Sequence, residues 1–464
     1  QDFDVLLATT KGNSLKHETV STISTRHRKL NLLVDWADIV IFQGLLISEN
    51  PWLADTEKIL IADVYDPFHL EILEQRKQQG INNRLKGSRD TTDALNRQLR
   101  RADYFICASE RQRSLWLGQL AAEGRVNPYT YDASSDLRRL TIKRNTVAVV
   151  TDGSAVLGLG NIGPGAALPV MEGKAALFKR FADVDAWPVC LDTQDVEEII
   201  RTVQIIAPVY GGINLEDISA PRCFEIEARL RDLLDIPVFH DDQHGTAIVV
   251  LAALTNALKL VKKDLKSSKI VLSGVGAAGT AVARLLVATG ARNIIGFGKN
   301  GLIFEDNGDG DPMRKWFVEH CSPGAFRGDI HAAMKDADVF IGLSAANVLV
   351  EEDIKGMAKG AIVFALANPD PEIDPILARK YAAVVATGRS DQPNQINNVL
   401  AFPGIFRGLL DANITKITDK MLVGAAEAIA SCVSNEQLNA NFIVPSVFDP
   451  NVSQKVAAAV KKSV

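Results

Sequence analysis

Two pairs of neighbouring carboxylates could bind a metal ion. Glu216 and Asp217 form one pair, and Asp241 and Asp242 form the other. Each pair ends a predicted strand or begins a helix, so the carboxyl edge of a sheet could bring three of the four acids together. Paired acids repel one another unless a cation lies between them, and Mg²⁺ and Mn²⁺ prefer several oxygen ligands. This spacing suggests a divalent-metal site, although either pair alone is also typical of a solvated loop or a helix cap.

Lys174 is a candidate for proton transfer. It lies in Pro169-Val-Met-Glu-Gly-Lys174, at the start of a predicted helix whose later residues are apolar. Small and apolar neighbours predict partial desolvation, which lowers the pKa of a lysine and suits general acid–base chemistry. The alternative is an ordinary helix lysine whose charged end reaches solvent.

A glycine-rich segment, Gly274-Val-Gly-Ala-Ala-Gly279, predicts a dinucleotide site. It follows a predicted strand at 269–272 and opens a predicted helix at 280–288. The first glycine permits a tight turn, the second lets the backbone approach a pyrophosphate, and the third allows the helix to pack on the strand. The alternative is a turn that merely needs glycines. The candidate cofactor-binding residues here are Gly274, Gly276, Ala277, Ala278 and Gly279.

The sequence leaves the choice between NAD and NADP open. In most NAD sites, an acidic residue after the second strand binds the ribose 2′-hydroxyl. Here the predicted strand at 293–297 is followed by Gly298 and Lys299. A lysine at this place could instead attract the 2′-phosphate of NADP.

Short apolar runs alternate with helical segments along the chain, and this alternation would position the candidate residues. Helical periodicity is clearest at 196–206 and 246–261. The fold class is α/β, with Rossmann-like parallel sheets. Strands are predicted at 4–8, 39–42, 59–62, 104–107, 147–150, 188–191, 238–239, 269–272, 293–295, 339–341, 362–365 and 383–385.

The composition excludes several classes of protein. With 47% hydrophobic and 23% charged residues, the chain is not mainly disordered, and its net charge of −5 argues against a nucleic-acid partner. Apolar runs such as 247–254 are shorter than the ~20 residues that cross a membrane. The five cysteines lie far apart, without metal-finger spacing. We expect a cytoplasmic protein with reduced cysteines, no zinc and no membrane partner.

From about residue 141 onward, roughly 70% of the chain resembles the bacterial malic enzymes. The resemblance rests on motifs that occur together in one order. They are Thr151-Asp-Gly-Ser-Ala-Val-Leu-Gly-Leu-Gly-Asn-Ile-Gly163, Met171-Glu-Gly-Lys174, Ile213-Asn-Leu-Glu-Asp-Ile218, Phe239-His-Asp-Asp-Gln-His-Gly-Thr246, the glycine-rich segment, Ala367-Asn-Pro369 and Asn397-Asn-Val-Leu-Ala-Phe-Pro-Gly404.

The resemblance implies oxidative decarboxylation of (S)-malate to pyruvate and CO₂, with NAD or NADP and with Mg²⁺ or Mn²⁺. It implies that Lys174 is the general base, and that Asn368 and Asn398 lie near the nicotinamide and the substrate carboxylate. It also implies a homodimer or a larger homo-oligomer. By the same resemblance, the metal ligands are Glu216, Asp217 and Asp242.

The resemblance also divides the chain into domains. Residues 142–245 would be a substrate and metal domain, 246–400 an NAD(P)-binding Rossmann domain, and 401–464 a C-terminal helical segment. Malic enzymes carry a catalytic tyrosine in a Tyr-Thr-Pro-Gly-Val-type segment, which has no counterpart here. Tyr129 and Tyr131 lie shortly before residue 141, where the resemblance to malic enzymes begins, and we assign neither a catalytic role. We expect turnover to be lower by about 10²- to 10⁴-fold, which is typical of losing a general acid.

Residues 1–141 resemble the N-terminal half of a bacterial glycosyltransferase with two Rossmann domains. The resemblance rests on Ile61-Ala-Asp-Val-Tyr-Asp-Pro-Phe68 and on Ala102-Asp-Tyr-Phe-Ile-Cys-Ala-Ser-Glu110 with the eight residues that follow. The second domain, which mainly holds the nucleotide-sugar in that family, has no counterpart, so glycosyl transfer is not expected. Both partial domains should expose apolar surface. Alternative functions are silent binding of dinucleotide and malate, or nucleotide-sugar binding by residues 1–141.

Overall fold

The computed structural model describes residues 4–9, 20–25, 30–126, 141–305, 312–321, 324 and 326–463. The chain divides into two compact units, Gln1–Leu140 (unit 1) and Thr141–Val464 (unit 2). The strands are β1 Leu6–Thr9, β2 Ser21–Ser24, β3 Ile39–Gln43, β4 Ile59–Asp63, β5 Tyr104–Ile106, β6 Thr146–Thr151, β7 Asp185–Cys190, β8 Gly212–Leu215, β9 Val238–His240, β10 Lys269–Ser273, β11 Asn293–Gly298, β12 Gly301–Leu302, β13 Val339–Gly342, β14 Ile362–Ala365 and β15 Val384–Thr387.

The helices complete the list of elements. The α-helices are α1 Leu30–Trp36, α2 Leu46–Glu49, α3 Phe68–Gln75, α4 Ile81–Arg101, α5 Glu110–Ala122, α6 Gly163–Ala182, α7 Val196–Ile206, α8 Arg222–Leu233, α9 Thr246–Val261, α10 Ala277–Ala288, α11 Pro312–His320, α12 Ile330–Met334, α13 Glu351–Lys355, α14 Pro375–Ala378, α15 Phe402–Asp411, α16 Asp419–Ala430 and α17 Pro450–Lys462. Short 3₁₀ helices cover Pro51–Asp55, Ile142–Arg144, Ala207–Val209 and Asn398–Leu400, and a π-helical turn covers Asp241–Gly245.

Unit 1 contains a parallel sheet of order β3-β4-β5 and a separate parallel pair, β1-β2. One face of the three-stranded sheet packs on α4 and α5, and there Leu60 and Leu99 are fully buried. The opposite face is exposed and apolar, because strand residues alternate between the two faces. Ile41 and Tyr104 on this face are 64% and 63% exposed. Unit 1 therefore presents an apolar sheet face of the kind that a partial domain is expected to expose.

The first sheet of unit 2 has the order β7-β6-β8-β9, with every pair parallel. The chain runs from β6 outward to β7 and then returns to β8 on the other side of β6. Such a reversal opens a crevice at the carboxyl ends of the central strands, where α/β proteins bind ligands. The segments after β6, β8 and β9 meet at that edge.

The second sheet of unit 2 has the order β12-β11-β10-β13-β14-β15, parallel except for the edge strand β12. The chain again reverses direction beside its first strand, because β10 lies between β11 and β13. This is the strand arrangement of a Rossmann domain. The predicted α/β class with parallel, Rossmann-like sheets is confirmed.

One hydrophobic core lies beneath both sheets of unit 2, and α9 runs through it. The helical segment Asp241–Val261 is long and apolar enough to cross a membrane by length and composition, and 67% of its most apolar window is buried inside the protein. That burial is typical of the core helix of a folded domain.

Candidate active site

Four acids and one lysine meet at the carboxyl edge of the first sheet of unit 2. Glu216 and Asp217 follow β8, and Asp241 and Asp242 follow β9. Lys174 comes from the middle of α6, on the buried side of the helix. Topology makes β8 and β9 neighbours, so the two acidic pairs lie side by side although 25 residues separate Asp217 from Asp242.

Three of these acids form a cluster that could hold a metal ion. Glu216, Asp217 and Asp242 each offer a carboxylate oxygen, and these atoms lie within 4.8 Å of one another. The backbone N–H of Asp217 donates to Oδ2 of Asp242 at 2.9 Å. Asp217 has a left-handed backbone conformation, with φ of +52°. These are the three acids that the resemblance assigned to the metal, and the structure brings them together.

Lys174 is buried and joins the cluster to Asp241. Its Nζ donates to Oε1 of Glu216 at 2.8 Å and also to Oδ2 of Asp241, and it lies 3.9 Å from the centre of the Phe402 ring. Burial alone would lower the pKa of Lys174, but Asp241 and Glu216 together raise it above its ordinary value. The lowered pKa expected from the sequence is therefore wrong, because the neighbours of Lys174 include two carboxylates that lie far away in sequence.

Burial and mutual repulsion raise the pKa values of two of the clustered carboxylates, Glu216 and Asp217. Burial raises the pKa of Asp217 to about 7, and the charge of Asp242 adds to this shift. Burial also raises the pKa of Glu216, against the opposing influence of Lys174. The four acids carry more negative charge than one lysine can balance, so a divalent cation would relieve their mutual repulsion.

Polar contacts hold these acids in place. Asn214 donates from Nδ2 to Oε2 of Glu216 at 2.8 Å, and Asn398 donates from Nδ2 to Oδ2 of Asp241 at 3.2 Å. Oδ1 of Asp241 is buried without a hydrogen-bond partner. Asn398 therefore contacts the cluster of acids through Asp241, and its expected place near the nicotinamide and the substrate carboxylate stays a prediction.

A guanidinium links the segments after β6 and β8. Arg222 donates from Nη1 to Oδ2 of Asp152 at 2.9 Å, and from Nη2 to the hydroxyls of Ser154 and Ser219 at 3.0 and 2.9 Å. The N–H of Ala155 donates to the carbonyl oxygen of Asp217 at 2.9 Å. These bonds fix the Thr-Asp-Gly-Ser segment against the segment that carries Glu216 and Asp217.

The glycine-rich turn lies between β10 and α10, and its glycines have distinct geometries. Gly274 has φ of +93°, and a Cβ there would overlap the carbonyl oxygen of Leu343. A Cβ at Gly276 would meet no atom within 4 Å, whereas one at Gly279 would overlap the carbonyl oxygen of Gly274. The turn is thus tight at Gly274, open at Gly276 and closely packed at Gly279. Ala277 and Ala278 form the first turn of α10.

Asn368 lies in the segment after β14, beyond the carboxyl end of that strand. A Cβ at Gly158 would lie 3.7 Å from the carbonyl oxygen of Asn368, so the tip of the loop after β6 approaches this segment. Lys299 follows β11 and is exposed.

The tyrosines of the described part of unit 2 lie away from the acids. Tyr210 precedes β8, at the opposite end of that strand from Glu216. Tyr381 donates its hydroxyl to Oε1 of Glu351 at 2.5 Å, at an exposed site. Tyr129 and Tyr131 fall outside the described residues.

Sequence reasoning missed three contributors to the site. Asp241 was noted as half of an acidic pair but given no role, and Asn214 and Phe402 were not singled out. A signal existed for Asn214, because it lies two residues before Glu216 and strand residues two apart point the same way. No local pattern predicts the contact between Phe402 and Lys174, which are far apart in sequence.

Two family models match most of unit 2. Residues 243–464 match a family described as "Malic enzyme, NAD binding domain". Residues 129–231 match "Malic enzyme, N-terminal domain".

Similar proteins of known identity point the same way. The chain is 60% identical over 321 residues to the NAD-dependent malic enzyme of Geobacillus stearothermophilus, which covers 69% of this chain and 67% of that protein. It is 53% identical over 337 residues to the bifunctional malic/malolactic enzyme of Bacillus subtilis (strain 168), over 72% and 82% of the two chains. The crystal structure of the NAD-dependent malic enzyme from Thermotoga maritima matches with a TM-score of 0.70 and 46% identity, over 76% and 93% of the chains. The chain therefore belongs to the malic enzyme family.

Proposed function

We propose that this protein catalyses the oxidative decarboxylation of (S)-malate to pyruvate and CO₂, with reduction of NAD or NADP and with a divalent metal ion. The observation that carries the proposal is the cluster of Glu216, Asp217 and Asp242 beside the buried Lys174. The cluster lies in a chain that belongs to the malic enzyme family.

The donor set fits Mg²⁺ or Mn²⁺. Glu216, Asp217 and Asp242 supply three carboxylate oxygens close enough to share one ion, and hard divalent cations prefer such ligands. Oδ1 of Asp241 is buried without a hydrogen-bond partner, and the charge of Asp241 acts on Glu216 and Asp217. When bound, the ion would supply Lewis-acid chemistry to the oxygens of malate.

The glycine-rich turn fits the pyrophosphate of a dinucleotide. Gly276 leaves open space where a side chain would stand, and the N-terminus of α10 favours negative charge. When bound, the oxidised dinucleotide would accept the hydride that leaves C2 of malate. We propose that Gly274, Gly276, Ala277, Ala278 and Gly279 hold it.

Lys174 is the proposed group that takes the proton of the C2 hydroxyl, for which its amine must first be neutral. A divalent cation held by Glu216 would offset the carboxylate charge that raises the pKa of Lys174. Glu216 and Asp241 fix the position of its Nζ, and Phe402 covers one side of it. Asn398, which bonds Asp241, would orient a substrate carboxylate, and Asn368 would contact the nicotinamide and the substrate. Loss of CO₂ leaves a carbon, C3, that must gain a proton. No tyrosine in the described part of unit 2 lies near the acids, so we propose a turnover below that of malic enzymes with the tyrosine segment.

A homodimer or a larger homo-oligomer is the proposed assembly. Leu168 and Leu177 on α6, together with Trp187 on β7, are exposed apolar side chains on unit 2. Light scattering after size-exclusion chromatography should give at least about twice the mass of one chain, and a single-chain mass at all concentrations would refute a homo-oligomer.

The test measures binding and turnover separately. The full chain is assayed for malate-dependent formation of NADH and of NADPH with Mn²⁺, and Mn²⁺ and dinucleotide binding are measured by calorimetry. Asp242→Asn should weaken Mn²⁺ binding and lower activity by about 10- to 100-fold or more, because it removes one charged ligand. Asp192→Asn, which changes an exposed acid of the same unit, is the matched control.

Each outcome of this test has a meaning. Turnover that depends on Mn²⁺ and on Asp242 supports the proposal. Binding of both Mn²⁺ and dinucleotide without any turnover would refute it and identify a silent binding protein.

A further inference from the structure

One buried carboxylate lies apart from the acidic cluster, in the part of unit 2 that contains the glycine-rich turn. Glu372 is fully buried. Its Oε1 accepts the backbone N–H of Ser344 at 2.9 Å and the hydroxyl of Ser344 at 3.3 Å, and its Oε2 accepts the N–H of Ala367 at 3.1 Å. Ser344 follows β13 and Ala367 follows β14, so one side chain joins two neighbouring strand ends.

A third strand end belongs to the same network. The hydroxyls of Ser344 and Ser273 lie 2.9 Å apart, and Ser273 is the last residue of β10. Gly274 comes next, where the turn packs so closely on Leu343 that a Cβ would overlap its carbonyl oxygen. Glu372 is therefore linked through Ser344 to the start of the glycine-rich turn.

The backbone around Glu372 accommodates its carboxylate. A Cβ at Gly342, the last residue of β13, would overlap the carboxylate of Glu372. The backbone of Glu372 is also held, because its carbonyl oxygen accepts the N–H of Leu349 at 3.0 Å. A buried carboxylate is costly unless hydrogen bonds compensate for lost water, and those from backbone N–H groups are among the stronger ones.

We propose that Glu372 is a positioning residue for the dinucleotide. By fixing the segments after β10, β13 and β14, it holds the crevice in the shape that the cofactor needs, because dinucleotides bind at this edge of a Rossmann sheet. The inference rests on the proposed function, since it assumes that the crevice binds NAD or NADP. Glu372 bonds strand ends of the second sheet of unit 2, whereas the acidic cluster lies at the edge of the first sheet, so its effect should be specific to the dinucleotide.

The experiment compares Glu372→Gln with the wild-type full chain. The amide keeps the size of the side chain but replaces one acceptor oxygen with an NH₂ group that faces an N–H donor. Hydrogen bonds to charged groups are strong, so we expect dinucleotide affinity by calorimetry to fall about 10- to 100-fold. The KM for dinucleotide should rise similarly, whereas kcat at saturating dinucleotide and Mn²⁺ affinity should change less than about threefold.

Controls separate positioning from a general loss of structure. Glu352→Gln changes an exposed glutamate of the same domain and should alter none of these values. Glu372→Asp keeps the charge and should restore part of the dinucleotide affinity lost in Glu372→Gln. Equal losses of Mn²⁺ and dinucleotide affinity in Glu372→Gln would overturn the proposal, as would unchanged dinucleotide affinity.

A milder variant keeps the proposal testable if Glu372→Gln does not fold. Ser344→Ala removes one hydroxyl donor and leaves the carboxylate intact, and it should weaken dinucleotide binding by about two- to fivefold, as expected for one neutral hydrogen bond. Wild-type affinity in Ser344→Ala would then overturn the inference. If the wild-type chain binds neither NAD nor NADP, the proposed function is refuted. If the wild-type chain binds a dinucleotide and the variants bind it equally well, only the proposed role of Glu372 is refuted.

Discussion

At the scale of single residues, the chemistry depends on how Lys174 is held. Its ammonium lies between Glu216 and Asp241 and is buried, so its position is set by two charged partners rather than by the helix alone. Lys179, one turn further along α6, is exposed and pairs with Asp183 and Asp185. The two lysines on one helix therefore have very different surroundings.

Lys174→Ala should lower kcat for malate oxidation by about 10²- to 10⁴-fold, because it removes the proposed proton acceptor. Dinucleotide affinity should not change, since Lys174 lies on α6 among the acids at the edge of the first sheet, away from the glycine-rich turn of the second sheet. The measurements are malate-dependent formation of NAD(P)H and calorimetric binding of the dinucleotide. Lys179→Ala is the control and should keep full activity. A Lys174→Ala variant with more than about a tenth of the wild-type rate would refute the assignment.

At the scale of elements, the turn between β10 and α10 provides a matched pair of glycines. A Cβ at Gly279 would overlap the carbonyl oxygen of Gly274, so Gly279→Ala should lower the free energy of unfolding by about 1–3 kcal/mol. A Cβ at Gly276 would meet no atom within 4 Å, so Gly276→Ala should change the free energy of unfolding by less than about 0.5 kcal/mol.

Dinucleotide binding should separate the same two variants. Gly276→Ala should weaken it although the fold is intact, because the methyl group would stand where the pyrophosphate approaches. Urea unfolding gives the stabilities, and calorimetry gives the affinities. Equal stability of Gly279→Ala and the wild type would show that the turn is not packed as described.

At the scale of the whole molecule, the two units have separate hydrophobic cores. Unit 1 leaves one apolar face of its three-stranded sheet exposed. The resemblance of residues 1–141 to half of a glycosyltransferase stays a prediction. The domain divisions of residues 142–464 also stay predictions.

Scanning calorimetry should show two transitions, with unit 1 unfolding at the lower temperature. Mn²⁺ and NAD should raise only the second transition, because their proposed sites lie in unit 2. A ligand at about 100 times its Kd adds about 2.7 kcal/mol to stability. Removing Mn²⁺ with a chelator should reverse the part of the rise in the second transition temperature that Mn²⁺ caused. One transition, or equal shifts of both, would contradict two independent units.

Local patterns in the sequence determined most of the secondary structure of unit 2. The helices α7 and α9 span the predicted residues 196–206 and 246–261, because apolar periodicity is a property of neighbouring residues. The close packing of Gly279 on Gly274 also follows from local turn geometry, whereas the contact of Gly274 with Leu343 comes from the neighbouring strand. The acids after β8 and β9 were singled out because each pair is adjacent in sequence.

Only the tertiary structure decided how those residues interact. Asp217 and Asp242 are neighbours because β8 pairs with β9, and the pKa of Lys174 is raised because two acids from different strands surround it. Glu372 lies between β14 and α14, and only the fold shows that it joins the ends of β13 and β14. Charge, burial and hydrogen bonding depend on atoms that the fold brings together from distant parts of the chain, so no local pattern could reveal them.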